Sequence, residues 1–458
     1  MKVPFYCFLT SLLLYSFAPQ TYSFLYCVIV LAVYIASSIW VINRFRFREN
    51  YFTFNTLFLL SFFFVNFLYP VFIFPIDPEY FPVYKLSFNF DVITQATSLA
   101  LVGSCSYILG ISALAKKEVR PSVVGTSKIN YIIEVLDKGL VILFSLILLF
   151  GGVNLFRLTF GATFAIPPGI LILFQIVLCL ILILHFYRFR GSKTVKPIVK
   201  HFNRVSSIIV ILFCFTFTFT GDRGPVIQII LTLVCLYSVY IKPIRLKLLL
   251  VLVTTGMFAL TFISYARTDD VTAKTGLTGF INRGFENTQI NSFFDIGMDL
   301  IVNNRNLYVG YEYVNQYGIS YGTGIITAVF APFPFLPTLI SELAFSKKPS
   351  ELATSTIITE QAGATYGLGT NLIADLYMNF GTVGVIFFMF LLGYLIRIFS
   401  RGSNINYIIS YIFMVSFAIY LPRTSLFDPV RYIVWALLIY KVLFIVTLKR
   451  IQNKRIKQ

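Results

Sequence analysis

Histidine is nearly missing from this chain, which has only His185 and His201. Any side-chain proton transfer must then fall to carboxylates. Charge is scarce as well: Asp, Glu, Lys and Arg make up 12% of the residues against 57% hydrophobic, and the mean hydropathy is +0.81. Soluble domains do not have that balance. There is no P-loop, no GxGxxG, no HExxH and no CxxC pair, and Asp269-Asp270 is an isolated acidic dyad. These absences speak against an ATP-driven pump and a nucleotide-sugar enzyme of the dinucleotide-binding type, so neither a cofactor nor a metal site is expected. The six cysteines (Cys7, Cys27, Cys105, Cys179, Cys214 and Cys235) all fall inside apolar runs, where they read as small hydrophobes and not as a disulfide framework.

What the chain does have is a series of long apolar runs. They lie near 4–18, 22–42, 51–74, 92–115, 139–156, 168–187, 205–220, 224–241, 248–265, 371–396, 407–421 and 431–448. The runs are continuous and not alternating, which selects helices over a barrel, and their lengths suit a hydrocarbon core. An all-α polytopic membrane protein of about 12 transmembrane helices is expected. The first run lacks a small-residue cleavage site and reads as a retained helix.

The net charge of +18 is sorted by loop: clusters at Arg44 to Arg48, Lys116 to Lys138, Arg188 to Arg204, Lys242 to Lys247, Arg397 with Arg401, and Lys449 to Lys457 occupy every second connection. This is the positive-inside pattern. It needs no nucleic acid, makes anionic membrane lipid the partner of the clusters, and puts both termini in the cytoplasm.

Three parts follow: a membrane bundle over 1–265, an extracytoplasmic loop over 266–370, and a second membrane part with a basic tail over 371–458. A loop that long is usually functional. It leans acidic, with Asp299, Glu312 and Glu360 among its carboxylates. Ile290, Phe293, Phe294, Gly297, Met298 and Ile301 recur at helical spacing and suggest one amphipathic helix. The apolar stretch 324–345 is interrupted by Pro332, Pro334 and Pro337, which fits a re-entrant or interfacial segment better than a span.

The sharpest local feature is Gly221-Asp222-Arg223-Gly224-Pro225, a charged turn between two apolar runs. Charge at that depth is costly, and an arginine fork suits phosphate. Arg223 is therefore a candidate catalytic and substrate-binding residue, the alternative being a hairpin in which Asp222 and Arg223 neutralise each other. Arg267, Arg283 and Arg305 in the long loop, with Arg423 and Arg431 beside the last outer turn, form a second set for anion binding or for surface ion pairs. Glu360 and Asp375 are the candidate bases. Glu360 precedes the glycine-rich entry that holds Tyr366, a further substrate-binding candidate, and Asp375 lies about a turn inside the next helix. A solvated carboxylate and a structural ion pair are their respective alternatives.

Taken together, the GDRGP turn, the run YGISYGTGIITAVFAPFPFLP followed by KKPSE, and GATYGLGTNLIADLYMNFGTVGVIFFMFLLGYL resemble the Wzy O-antigen and oligosaccharide repeat-unit polymerases. The related ligases use a histidine in the large loop and this loop has none, which favours a polymerase over an O-antigen ligase. The resemblance implies a glycosyltransferase of the bacterial cytoplasmic membrane acting at its outer face. Its substrates would be undecaprenyl-diphosphate-linked glycans, one as donor and one as acceptor, with a chain-length regulator and a flippase as further partners. A flippase or transporter of lipid-linked glycan is the rival from another class.

Overall fold

The computed structural model describes residues 2–46, 49–85, 88–114, 126–152, 155, 165–220, 223–266, 276–287, 292–333 and 335–456, and their regular elements are helices. In the first part these are α1 (Lys2–Ser16), α2 (Phe24–Phe45), α3 (Phe54–Asn66), α4 (Ile93–Ser112), α5 (Thr126–Gly151), α6 (Pro168–Arg188), α7 (Arg204–Phe219), α8 (Arg223–Tyr240) and α9 (Leu246–Ala266). The long loop holds α10 (Gly276–Asn287), α11 (Asn304–Tyr317), α12 (Thr323–Phe330), α13 (Leu336–Phe345) and α14 (Thr354–Gln361), and the last part α15 (Leu372–Arg401), α16 (Ile405–Phe417) and α17 (Asp428–Ile456). Each apolar run of the sequence thus overlaps a helix. Among the described residues, seven helices are long and apolar enough to cross a membrane, namely α2, α4, α6, α8, α9, α15 and α17. Apolar side chains face outward along them, with Leu250 and Val251 of α9 at 53% and 60% exposure. That much outward hydrocarbon is the mark of lipid as solvent.

Two runs are broken where a straight helix was expected. The run 51–74 gives α3 and then a π-helical turn, Tyr69–Ile73, because Pro70 has no amide proton to donate and its ring resists the helical ladder. The amphipathic pattern around Phe293 yields two single turns, Phe293–Ile296 and Met298–Ile301, separated by Gly297; Ile290 lies outside the described residues. Ser292 and Asp295 close a capping box on the first turn. The Thr261 hydroxyl of α9 donates to the Ile296 carbonyl at 2.9 Å, so this segment is tied down on α9.

The centre of the bundle is the crossing of α4 and α15. Glycines bring the two backbones together: a Cβ on Gly393 would lie 2.1 Å from the Tyr107 carbonyl oxygen, and one on Gly110 would lie 2.0 Å from that of Phe390. Small residues serve this purpose where lipid supplies no hydrophobic drive between helices. α15 itself breaks at Gly381, whose φ of 64° and ψ of −164° only glycine adopts freely. The carbonyls freed by the break do not go unpaired. Ser320 and Gly322 donate their backbone N–H groups to Met378 and Asn379 at 2.8 and 3.1 Å. The 382–401 stretch, about twenty residues, is itself enough to cross a bilayer. The part before the break, which carries Asp375 and Asn379, belongs to the layer formed with α11, α12 and α14.

Gly393→Ala is expected to lower the thermal midpoint of the detergent-solubilised protein, at a cost of about 1–3 kcal/mol from overpacking. Gly139→Ala is the control, since a Cβ there meets nothing within 4 Å. Equal midpoints for Gly393→Ala and the unmodified chain would contradict the close crossing.

Candidate functional site

Arg223 is the first described residue of α8, and Pro225 lies two residues further on. The Arg223 side chain is 13% exposed and pairs with the carboxylate of Asp299. Its Nη1 also donates to the Leu260 carbonyl of α9 at 2.8 Å. Arg423 arrives from the 3-10 turn Leu421–Arg423 between α16 and α17, and its Nη1 donates to the backbone carbonyl of the same Asp299 at 2.8 Å. Segments distant in the chain therefore meet at one aspartate. An arginine has five N–H donors, so the contacts described leave both guanidinium groups with donors to spare.

Arg223, Asp299 and Arg423 line one end of a cavity of about 770 Å³. Its remaining walls are mostly hydrocarbon, chiefly from α3, α8 and α9, with Thr218, Thr220, Leu300, Ile419 and Tyr420 completing them. On α9 the lining runs from Leu249 to Ile263, about 20 Å of helix axis at 1.5 Å per residue. The site is thus a polar mouth with one carboxylate and two guanidinium groups, followed by an apolar trough whose length is comparable with a large part of a hydrocarbon core about 30 Å thick.

Close to this mouth stands a second polar node. Asp375 is 2% exposed; the Thr354 hydroxyl donates to its Oδ1 at 2.6 Å and the Ser425 hydroxyl to its Oδ2 at 2.7 Å. Asn379, one turn on, donates to the Asp375 carbonyl at 2.8 Å and accepts from Ser320 and the Gly324 amide, both at 3.0 Å. Ser425 is two residues from Arg423, so this node fastens the turn that presents Arg423 to α15. Both oxygens of Asp375 are engaged, and the residue does not line the cavity.

The other described residues singled out in the sequence do not line the cavity. Glu360 is exposed on α14, and Tyr366 is 58% exposed; neither lines the cavity. Arg283 donates from Nε to the Ala266 carbonyl at 3.1 Å. Arg431 lies 5.9 Å from the Tyr432 ring centre on α17. Arg305 is fully buried at the start of α11. Arg267, Gly221 and Asp222 lie outside the described residues. Of the six arginines, Arg223 and Arg423 are brought together. Sequence reasoning missed Asp299 as their meeting point, because it is one of many carboxylates in the long loop and its partners lie far away in sequence. Thr354 and Ser425 carried no signal at all.

No curated protein and no solved structure matches this chain. A family model described as "O-antigen polysaccharide polymerase Wzy" matches residues 1–456. With that match running over the whole bundle and the long loop, the chain belongs to the O-antigen polysaccharide polymerase Wzy family and is a multi-pass membrane protein that polymerises oligosaccharide repeat units.

Proposed function

We propose that the trough between α3, α8 and α9 receives the polyprenyl chain of the donor, undecaprenyl diphosphate carrying the growing glycan, while Arg223 and Arg423 hold its diphosphate at the mouth. The observation that carries this is the joining of two guanidinium groups to one end of a long hydrocarbon-lined cavity. A lipid diphosphate has the matching shape: an anionic head next to an apolar chain. Arginine stays charged and donates in parallel pairs, which suits the oxygens of a diphosphate.

The acceptor is a second lipid-linked repeat unit. Its terminal sugar hydroxyl attacks the anomeric carbon of the donor; the bond from that carbon to the phosphate oxygen breaks, and the electron pair leaves with the diphosphate. Preorganised guanidinium groups lower the barrier by stabilising the charge that develops on that leaving group. The hydroxyl proton needs a base, and we assign it to Asp299, which sits at the mouth where Glu360 and Asp375 do not. Asp299 is paired with Arg223 in this structure. A bound diphosphate competes for the Arg223 donors and frees the carboxylate. Glycosyl transfer from a diphosphate donor needs no further activation.

In this reading all twelve apolar helices cross the bacterial cytoplasmic membrane, both termini are cytoplasmic, and the mouth opens on the outer face. The positive-inside sorting of the loops supports that orientation. A flippase and a chain-length regulator are its functional neighbours. The break in α15 is a feature that transporters share. Here the freed carbonyls are bonded by the 318–322 segment, which supports a fixed scaffold over a gate.

Arg223→Ala and Arg423→Ala are each expected to cut polymerisation by about 10²-fold or more, the scale for losing one charge-stabilising donor. Glycan chain lengths on the cell surface check this: long chains disappear while single repeat units still reach the surface. Loss of the single units too would point to flipping or ligation instead.

Asp299→Asn keeps the backbone carbonyl that Arg423 uses and removes the base. In a reconstituted assay kcat should fall by about 10²- to 10⁴-fold, and the KM for donor should shift as well, because the Arg223 partner is lost. A variant that polymerises at the original rate would remove Asp299 from the chemistry.

A further inference from the structure

Arg305, the second residue of α11, is 0% exposed and is the largest of the fully buried side chains. Among the described residues its Nε, Nη1 and Nη2 have no hydrogen-bond partner. Burial pulls its pKa below the ordinary range, and the groups that oppose this are the phenols of Tyr366 and Tyr84, not a carboxylate. A guanidinium in that position is a severe anomaly. An unpaired buried charge costs several kcal/mol, and native proteins nearly always supply a counterion or hydrogen-bond acceptors.

The polar side chains around the start of α11 are held by other protein groups and leave Arg305 aside. Asn303, at the N-cap of α11, makes no cap hydrogen bond and instead donates to the Thr370 carbonyl at 2.8 Å. Asn304 and Asn306 donate to the carbonyls of Val65 and Leu368 at 2.7 and 2.9 Å, and Asn371 donates to the Asn66 side chain at 3.0 Å. These amides pin the start of α11 rigidly against α3 and the entry to α15. No Arg305 nitrogen takes part in them. Tyr69 and Tyr84 stack with ring centres 3.8 Å apart, and Tyr84 donates to the Ile301 carbonyl at 3.0 Å, which closes the aromatic side. Side chains on a helix lean toward its N-terminus, so the charge of Arg305 adds to the positive end of the α11 dipole.

We propose that Arg305 is the core of a second anion site, separate from the lipid cavity, which takes a compact oxyanion: a sugar carboxylate or a phosphate group. Arg305 does not line the apolar trough. The planar fork and its unused donors match one carboxylate or one phosphate face. The proposal does not depend on how the donor lipid is bound.

The test uses the full chain in detergent micelles, with inorganic phosphate and glucuronate as probes at constant ionic strength held with sodium chloride. One or both should raise the thermal midpoint saturably, and the one that acts identifies the source of the oxyanion. Arg305→Met should abolish the effect; since it removes an unpaired buried charge, the variant is expected to fold. Arg305→Lys keeps the charge but loses the fork, and should bind about tenfold more weakly or worse by calorimetry. The proposal is overturned if neither probe moves the midpoint of the unmodified chain, or if Arg305→Met responds equally. Unchanged affinity in Arg305→Lys overturns it too.

Discussion

The arrangement of the whole mouth depends on Asp299 serving two arginines at once, Arg223 through its carboxylate and Arg423 through its backbone carbonyl. Arg223 lies on α8, and Arg423 ends a short turn before α17. Without a shared anchor, two cations at the edge of hydrocarbon would repel each other and turn toward water. The aspartate draws them to one point and reduces the charge held there to a single net positive. It also draws the broken segment 293–301 of the long loop onto the bundle, so the loop forms part of the cavity wall.

Lipid as solvent explains most of the remaining design. Where no hydrophobic drive acts between helices, glycines at Gly110 and Gly393 let α4 and α15 meet backbone to backbone. Where α15 must break, at Gly381, the released carbonyls are met by the N–H groups of Ser320 and Gly322. Asp375 follows the same rule on a smaller scale: a buried carboxylate is tolerable because two hydroxyls donate to it. Those bonds link α14, α15 and the turn of Arg423, so a residue that looks like a base by position also acts as a fastener.

The membrane class and the helical runs were legible in the sequence because apolar length and the sorting of basic loops are local properties. Arg223 was legible for a related reason, as a charge where charge is expensive. Asp299 was not, since nothing in the neighbourhood of one acidic loop residue reveals partners on α8 and beyond α16. The breaks at Gly297 and after Asn66 were also hidden: the hydrophobic spacing around Phe293 continues across a glycine that ends the helix, and Pro70 sits in a run whose hydropathy does not falter. Arg305 was visible as one of several loop arginines. Its complete burial without a partner is a property of packing, which composition does not carry.

In the proposed mechanism a lipid diphosphate binds with its head between Arg223 and Arg423 and its chain in the trough. An experimental structure of the full chain in lipid nanodiscs with undecaprenyl diphosphate tests it most directly. Phosphate oxygens are expected within hydrogen-bonding distance of both guanidinium groups, with an isoprenoid chain against Leu260 and Leu231 and the Asp299 carboxylate released from Arg223. A diphosphate bound elsewhere, with the pair between Arg223 and Asp299 intact and the trough filled only by bulk lipid, would contradict it.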